Sequence, residues 1–356
     1  MTVESSGTGT PRSSSARMNT RARIAGLLAA ALALGLLLGL GPRAVSIPEE
    51  STGDAELAAF LRDHAPRGAG NITAFVVQGD KVRFAGLGVD ENYEHEIGSV
   101  TKIMVAELLH DAVEGGSLSA TTKAGEILGV PAPVSDVTLR ELAEHTSGLP
   151  RLSSVGVLGW ARSLVGSDPY AGITADDVVS QALAADLTGR GEQEYSNFGF
   201  ALLGQLLARS AGSDFATLAR ERLFEPLGME STYVAVEGAV SENAPRGRSD
   251  TGRPAAPWAS QGYAAAGSVR STSRDMARFA QHVLTSTREP LTWAETTVGP
   301  HEVLWHNGGT GGFSTMLVLH RPTGSAAYVA TDTTASVDDL GLDLFAHLHG
   351  ITPEED

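Results

Sequence analysis

Two pairs of short apolar segments near opposite ends of the chain place the strongest constraint on its fold. The first pair, residues 73–77 and 82–87, is joined through Gly79-Asp80, a two-residue turn typical of a β-hairpin. The second pair, residues 313–319 and 326–331, is joined by a short turn that contains Pro and Gly. Strands linked this closely pair in an antiparallel manner. We therefore expect one antiparallel sheet built from both ends of the chain.

The chain between these strand pairs has helical patterning. Thr138 and Thr174 each precede an acidic residue by three positions, as in a capping box, and a helical apolar period returns over residues 276–283. Helical patterns over residues 55–62 and 339–348 lie beside the strand pairs. The pattern predicts a mixed α/β (α+β) fold, in which an antiparallel sheet is flanked by helices and carries an all-α insertion.

The same pattern suggests where the domains begin and end. We assign residues 1–46 to a leader and residues 47–356 to one folded domain. Its α/β body covers residues 47–98 and 262–356, and the helical insertion covers residues 99–261.

The leader has the composition of an export segment. Residues 1–20 are rich in Ser, Thr and Gly, which predicts disorder, and basic residues then precede residues 24–40, which are almost entirely Ala, Leu and Gly. Cleavage after Ser46 would release the domain, whereas an uncleaved apolar run would anchor it. Met1 and Met18 are both possible starts. We expect an extracytoplasmic protein, either secreted or anchored to the membrane by residues 24–40.

Ser99 and Lys102 stand three residues apart at the start of a helical apolar pattern. Side chains at this spacing are neighbours on a helix, so the Lys102 amine can reach the Ser99 hydroxyl. The partial positive charge at a helix N-terminus favours an alkoxide at Ser99 and disfavours an ammonium at Lys102. The pair is a candidate nucleophile with its proton partner. By itself, the spacing also fits a helix-capping serine followed by an exposed lysine.

Tyr195 and Asn197 precede a second apolar helical run. On an extended segment, residues two apart face the same side. A phenol can act as an acid or a base, and a carboxamide can hold a substrate amide or a lysine through hydrogen bonds. The alternative is a helix-capping loop in which Asn197 is the cap and Tyr195 packs on the core.

A glycine-rich segment follows His306 and Asn307 and leads into an apolar strand. Glycines at a strand edge allow a second backbone, such as that of a substrate, to come close. The segment lacks the Gly-Lys-Ser/Thr ending of a phosphate-binding loop, and a glycine cluster alone is more often a turn.

These three motifs, in this order and together with residues 137–150, resemble the serine β-lactamase and penicillin-binding-protein-like superfamily. The resemblance covers about residues 60–346 and is strongest to the class C β-lactamase and D-Ala-D-Ala carboxypeptidase branch. It implies a β-lactamase/transpeptidase-like fold in which Ser-x-x-Lys, Tyr-x-Asn and Lys/His-x-Gly line one cleft. It also implies that Ser99 is the acylated nucleophile and Lys102 its proton partner. Tyr195 would be the general base that later protonates the leaving group.

The resemblance further implies the groups that hold the substrate. Asn197, His306 and Gly308 would bind it, and the backbone N–H groups of Ser99 and Gly309 would form the oxyanion hole.

The sequence departs from the class C pattern at the third motif. His306 stands where class C β-lactamases carry Lys, and histidine at this position is associated with peptidases and esterases. Because a histidine is mostly neutral near pH ~7 to 8, it would bind a substrate carboxylate weakly unless an arginine such as Arg270 supplies the charge. Residues 212–267 are also few for a member with a large cleft, which implies trimmed substrate loops.

Composition narrows the chemistry further. The chain has no cysteine, so disulfides, thiolate metal sites and cysteine catalysis are excluded. The formal net charge of −16 argues against nucleic acid or anionic lipid as a partner. His347 and His349 form a weak metal-binding pattern that we interpret as a solvated helix end. We therefore expect neither a metal nor another cofactor.

Together these features predict an exported serine hydrolase that forms an acyl-enzyme on Ser99. The favoured activity is D-Ala-D-Ala carboxypeptidase-like hydrolysis of a peptide or amide, for example a peptidoglycan stem. An esterase or a weak β-lactamase is the enzymatic alternative. A penicillin-recognising sensor domain is the non-enzymatic one. The expected partner is a small peptide, amide, ester or β-lactam, with membrane contact only through the N-terminal segment. The oligomeric state stays open.

Overall fold

The fold is known from a computed structural model that describes residues 20–153, 168–249 and 251–351. Residues 1–19 lie outside this part, and they include nearly all of residues 1–20, for which we predict disorder. The α-helices are α1 (Thr20–Leu40), α2 (Ala55–His64), α3 (Thr101–Glu114), α4 (Ala124–Leu128), α5 (Leu139–Ala143), α6 (Ala175–Leu183), α7 (Asn197–Ser210), α8 (Phe215–Ala219), α9 (Ala264–Gly267), α10 (Ser273–Thr285) and α11 (Asp338–Leu348). The strands are β1 (Ser51–Gly53), β2 (Ile72–Gln78), β3 (Lys81–Leu87), β4 (His95–Glu96), β5 (Tyr233–Val234), β6 (Val269–Ser271), β7 (Ala294–Val298), β8 (His301–Gly309), β9 (Ser314–His320) and β10 (Ser325–Thr331).

The main sheet joins the two ends of the domain. Its strands lie in the order β1-β3-β2-β10-β9-β8-β7, and all neighbouring pairs are antiparallel. Strands β2 and β10 pair along their full length, with Ile72 opposite Thr331 and Gln78 opposite Ser325. The predicted antiparallel sheet from both chain ends is confirmed. Strands β1, β7 and β8 extend it beyond the two predicted hairpins.

Both faces of the sheet are covered, because successive strand residues point to opposite sides. Along β2, Phe75 and Val77 belong to the core on the side of α10, whereas Ala74 and Val76 belong to the core under α2 and α11. These positions are almost fully buried. The flanking helices that the sequence predicts are therefore present on the sheet.

The helical region is centred on α7, which packs against α3, α5, α6 and α9. Gly204 lets α7 approach α9, since a Cβ added there would lie 2.2 Å from the Cβ of Ala265. One detail differs from the predicted all-α insertion, because strand β5 lies within it. Strand β5 pairs with β6, which pairs with β4 on its other side, so the backbone groups of β6 are hydrogen-bonded along both edges.

The N-terminal helix α1 belongs to a compact unit that ends at Arg43, and a second unit begins at Ala44. Several of its leucine side chains are exposed, among them Leu27, Leu28 and Leu32. Within the described residues, no helix has the combined length and apolar character needed to cross a membrane.

Candidate active site

Ser99 lies in a single 3-10 turn, Gly98–Val100, that leads directly into α3. Strand β8 passes beside this turn in backbone contact. Gly98 has a φ of +50°, and a Cβ added to it would lie 2.6 Å from the backbone nitrogen of Gly309. A Cβ on Gly308 would lie 2.0 Å from a backbone oxygen just before the turn. Glycine is therefore required on both sides of this approach.

We expect Gly98→Ala to lower the free energy of unfolding more than Gly116→Ala. Both glycines have a positive φ, but an added Cβ at Gly116 has no atom within 4 Å. Gly116→Ala measures backbone strain alone, about 1 to 2 kcal/mol. Gly98→Ala adds a clash with β8 and should also slow acylation of Ser99. Urea denaturation of both variants tests this, and equal losses would contradict the close approach.

Lys102 is fully buried and points its amine at Ser99. Its Nζ lies 3.0 Å from Ser99 Oγ and donates to the carbonyl oxygen of Ala266 over 2.6 Å. Burial, with a smaller contribution from the positive charge of Arg151, holds the pKa of Lys102 well below its ordinary value. A neutral amine keeps a lone pair, so it can accept the Ser99 proton.

Tyr195 approaches Ser99 from the other side. Its hydroxyl donates to Ser99 Oγ over 2.6 Å. Lys102 Nζ lies 4.9 Å from the centre of the Tyr195 ring, and the Arg151 guanidinium carbon lies 5.1 Å from it. Burial raises the pKa of Tyr195, although the Ser99 hydrogen bond and Arg151 oppose this. The directions of both pKa shifts favour a neutral lysine beside a neutral tyrosine.

Asn197 is the first residue of α7, and the cap of that helix is Ser196, whose hydroxyl accepts from the Gly199 N–H. The Asn197 side chain is therefore free of the capping role. Its Nδ2 donates to the Tyr170 hydroxyl over 3.1 Å, and its Oδ1 is buried with no hydrogen-bond partner among the described residues. Tyr170, which the sequence reasoning missed, thus holds the Asn197 amide in place.

His145 is a second residue to which the sequence reasoning gave no role. It belongs to the stretch that carries the family resemblance, and that was the only signal for it. Its ring packs on the Tyr195 ring with 4.6 Å between centroids. Its Nδ1 accepts from the Ser196 N–H over 3.0 Å, and burial lowers its pKa to about 3. An uncharged imidazole therefore supports the tyrosine.

His306 is only 6% exposed, and its Nδ1 bonds to the carbonyl oxygen of Asn307 over 2.7 Å. Burial lowers the pKa of His306 to about 4. It is therefore neutral near pH ~7. Arg270 does not replace the missing charge, since it is fully buried and bonds to Glu94 and Glu96.

Buried histidines make the fold acid-sensitive. Burial lowers the pKa of His95 to about 4, of His145 to about 3 and of His306 to about 4. Because an unfolded histidine titrates near ~6.5, their stability contribution is complete above that pH and is lost as the pH falls toward about 4. We expect the free energy of unfolding to drop by several kcal/mol over this range, since each group contributes up to about 1.4 kcal/mol per pH unit.

Urea denaturation across this pH range measures the effect. His145→Asn should flatten the dependence, whereas substitution of the exposed His64 should not. A wild-type stability that does not change between neutral pH and pH ~4.5 would contradict the neutral buried histidines.

A cleft of about 610 Å³ lies at the candidate site. Ser99, Tyr195, Asn197 and Gly309 all line it. The Thr315 hydroxyl donates to the Ile97 carbonyl oxygen over 3.0 Å, which holds β9 against the chain just before the Ser99 turn. The sheet and the helical region thus meet at Ser99, and the three sequence motifs come together there.

The comparisons with known proteins agree with this geometry. Residues 57–350 match the protein family described as Beta-lactamase. The chain belongs to the beta-lactamase family. Its members, which include beta-lactamases and carboxypeptidases, are serine hydrolases.

Solved structures share the fold of this beta-lactamase family member. The beta-lactamase/D-alanine carboxypeptidase from Pseudomonas syringae superposes with a TM-score of 0.70 and is 18% identical. The match covers 84% of this chain and 100% of that chain. At this identity, the likeness shows the fold alone.

Curated relatives align with this beta-lactamase family member over only part of their own length. The unguisins hydrolase of Aspergillus campestris is 25% identical over 258 residues, which are 60% of this chain and 46% of that protein. The D-alanyl-D-alanine-carboxypeptidase/endopeptidase AmpH of Escherichia coli is 30% identical over 200 residues, 53% and 49% of the two chains. The chain thus spans about half the length of these relatives.

Proposed function

We propose that this protein is a serine acyl hydrolase that works through a covalent acyl-enzyme on Ser99. The observation that carries the proposal is the contact of one hydroxyl with two proton-transfer groups, Lys102 Nζ at 3.0 Å and the Tyr195 hydroxyl at 2.6 Å. Such a nucleophile, with a base in hydrogen-bond reach, is what covalent catalysis requires. A silent sensor domain would not need either partner to be neutral.

In the acylation step, the Lys102 amine takes the Ser99 proton while Oγ bonds to the substrate carbonyl carbon. The backbone N–H groups of Ser99 and Gly309 stabilise the oxyanion. As the bond to the leaving group breaks, the Tyr195 hydroxyl donates its proton to the leaving nitrogen or oxygen, and the Lys102 ammonium returns a proton to Tyr195. The Ser99 proton thus ends, in net terms, on the leaving group.

Deacylation reverses the same transfers. A water molecule attacks the acyl carbon and gives its proton to Lys102. The bond between Oγ and the acyl carbon breaks, the acid leaves, and Ser99 recovers its proton. Asn197, held by Tyr170, would bind an amide of the acyl group during both steps.

Tyr195→Phe is expected to slow amides more than activated esters. An amine must be protonated to leave, whereas a nitrophenolate leaves unaided, so we expect a loss of about 10²-fold or more in kcat for an amide and about 10-fold or less for a p-nitrophenyl ester. KM should change little. Steady-state kinetics on both substrates give the result. Equal losses would assign Tyr195 a structural role.

For the substrate, we propose a peptide or amide with a D-amino acid on the acyl side, the class that a D-Ala-D-Ala carboxypeptidase cleaves. The support is the name of AmpH, a carboxypeptidase and endopeptidase. Ester hydrolysis is the second candidate, and the neutral His306 favours it because an ester has no carboxylate to be recognised.

Intact-mass spectrometry tests both proposals. The protein is incubated with a D-Ala-D-Ala peptide, its C-terminal amide, a p-nitrophenyl ester and a β-lactam. We expect an acyl adduct on Ser99 with at least one of them and product release on a slower time scale. An adduct on another residue would overturn the assignment. A stable adduct with the β-lactam alone would favour the sensor domain.

We also propose that residues 24–40 direct the domain out of the cytoplasm. The support is the apolar run itself, which follows Arg21 and Arg23. Fusion of residues 1–50 to a reporter that is active only outside the cytoplasm provides the test. A reporter that stays inactive, while the same fusion with an established export signal is active, would overturn the proposal.

A further inference from the structure

A second cavity, of about 630 Å³, lies on the other side of Tyr195 from the cleft. Tyr195 and Asn307 line both cavities, whereas Ser99 lines only the cleft. The phenol that contacts Ser99 Oγ at 2.6 Å therefore stands between the two spaces. A leaving group that takes the Tyr195 proton departs beside this phenol, where the second cavity offers space that Ser99 does not line.

Aromatic surface makes up much of the second cavity. Trp293 and Trp305 line it, and both are half-buried. Trp305 lies on β8 opposite Ala294 of β7, and Trp293 directly precedes that strand. Trp293 packs against the core on the α10 side and Trp305 against the core under α2 and α11, so the two indoles border the cavity from opposite faces of the sheet edge. Indole faces stack on planar rings and cover apolar surface.

The cavity offers no positive charge. None of its described lining residues is Lys or Arg. Its two imidazoles are neutral, because burial lowers the pKa of His145 to about 3 and of His306 to about 4. Its one carboxylate is the exposed Glu295. Arg151 lines the cleft rather than the second cavity. A carboxylate placed in the second cavity would thus lose water and meet no cation.

We propose that the second cavity is the leaving-group site and that it selects uncharged leaving groups that carry an aromatic ring, against those that carry a carboxylate. This inference rests on the proposed acyl-enzyme function and refines its substrate class. It narrows the proposed substrates to longer or amidated peptides and aryl-bearing esters, and it argues against the free C-terminal carboxylate that the substrate of a D-Ala-D-Ala carboxypeptidase carries.

Three esters of N-acetyl-D-alanine test the proposal, because they form the same acyl-enzyme and differ only in the alcohol. The alcohols are 4-(hydroxymethyl)benzamide, 4-(hydroxymethyl)benzoate and ethanol. A methylene separates the ring substituent from the leaving oxygen, so the basicity of the two benzylic alkoxides is nearly equal. We expect kcat/KM for the benzamide ester to exceed that for the benzoate ester at least tenfold and that for the ethyl ester at least threefold.

Two variants locate the preference in the cavity. Trp293→Ala should remove most of the advantage of the benzamide ester over the ethyl ester. Glu295→Lys should raise kcat/KM for the benzoate ester severalfold relative to the other two. Trp258→Ala is the matched control, since this indole lines the cleft and should change all three esters by a common factor. Unaltered ratios of kcat/KM among the three esters in both cavity variants would overturn the proposal.

A binding measurement separates this inference from the proposed function. In Ser99→Ala, tryptophan fluorescence titrations should show that 4-(hydroxymethyl)benzamide binds at least tenfold more tightly than the benzoate. Adding Glu295→Lys should reduce this difference, whereas adding Trp293→Ala should weaken binding of both alcohols. If all three esters acylate the wild type at equal rates, the proposed leaving-group site is wrong, whereas the proposed serine hydrolase function is supported. If no acyl-enzyme forms, the hydrolase is wrong, and the titration alone decides the cavity. Equal affinities for the two alcohols would overturn the site.

Discussion

Ser99→Ala is expected to lower turnover by about 10⁴-fold or more while the fold stays intact. The reason is that both Lys102 and Tyr195 contact this hydroxyl, and among the described residues no other side chain is hydrogen-bonded to both of them. Removal of a nucleophile leaves only the catalysis that binding and the oxyanion hole supply. Because one oxygen in an open cleft contributes little to packing, the melting temperature should change by only a few degrees.

Mass spectrometry with a fluorophosphonate measures this directly. Wild type should gain one adduct, on Ser99, and the variant none. Ser268→Ala is the matched control, because Ser268 lines the same cleft. Among the described contacts, its side chain makes no hydrogen bond to Lys102 or Tyr195. It should still be labelled at Ser99. An adduct on Ser268 in the Ser99 variant, or undiminished turnover, would contradict the assignment.

Lys102→Met is expected to reduce kcat by about 10³-fold or more, with a much smaller change in KM. Methionine keeps the apolar stem in its buried site but removes the amine that we propose as the acceptor of the Ser99 proton. Loss of the bond to the Ala266 carbonyl oxygen adds a stability cost of about 1 to 3 kcal/mol. Stopped-flow acylation with an activated ester separates the chemical step from binding.

The pH dependence identifies the role of Lys102. Since burial lowers its pKa and the neutral amine is the active form, wild-type kcat/KM should rise as the pH passes upward through that pKa. The rise should be absent in Lys102→Met. Lys102→Arg should be equally inactive, because an arginine stays charged. Lys123→Ala, which removes a surface lysine paired with Asp136, should keep the wild-type profile. If kcat/KM of Lys102→Met still rises with pH as in the wild type, the base is another group.

Much of the fold follows from patterns that span only a few residues. The hairpin turn at Gly79-Asp80, the capping box at Thr138 and the apolar helical periods all predict local structure, and the observed elements begin and end close to the predicted positions. The extra strands β7 and β8 were not predicted. Alternating exposure along β7 is what an edge strand shows, but its residues are mostly polar and give no apolar signal.

The candidate site likewise has features that follow from local sequence and features that come from the tertiary structure. The spacing of Ser99 and Lys102 predicts their contact because it is local to one helical turn. The burial that sets their protonation comes from elsewhere in the chain, as the Lys102 bond to Ala266 illustrates. The pKa of Tyr195 is raised, whereas its expected role as a general base required the opposite shift. Burial of a side chain is a property of the folded assembly, and no motif encodes it.

The sequence by itself therefore determined the family, the order of the three motifs and the antiparallel sheet, because these depend on residue identity and short-range periodicity. Only the tertiary structure decided that burial lowers the pKa of His306 to about 4, that Arg270 is bound by Glu94 and Glu96, and that a second, aromatic cavity lies beside Tyr195. Each of these depends on contacts between residues far apart in the chain. Such contacts set dielectric, charge pairing and shape at the site, and they exist only once the sheet has joined the two ends of the domain.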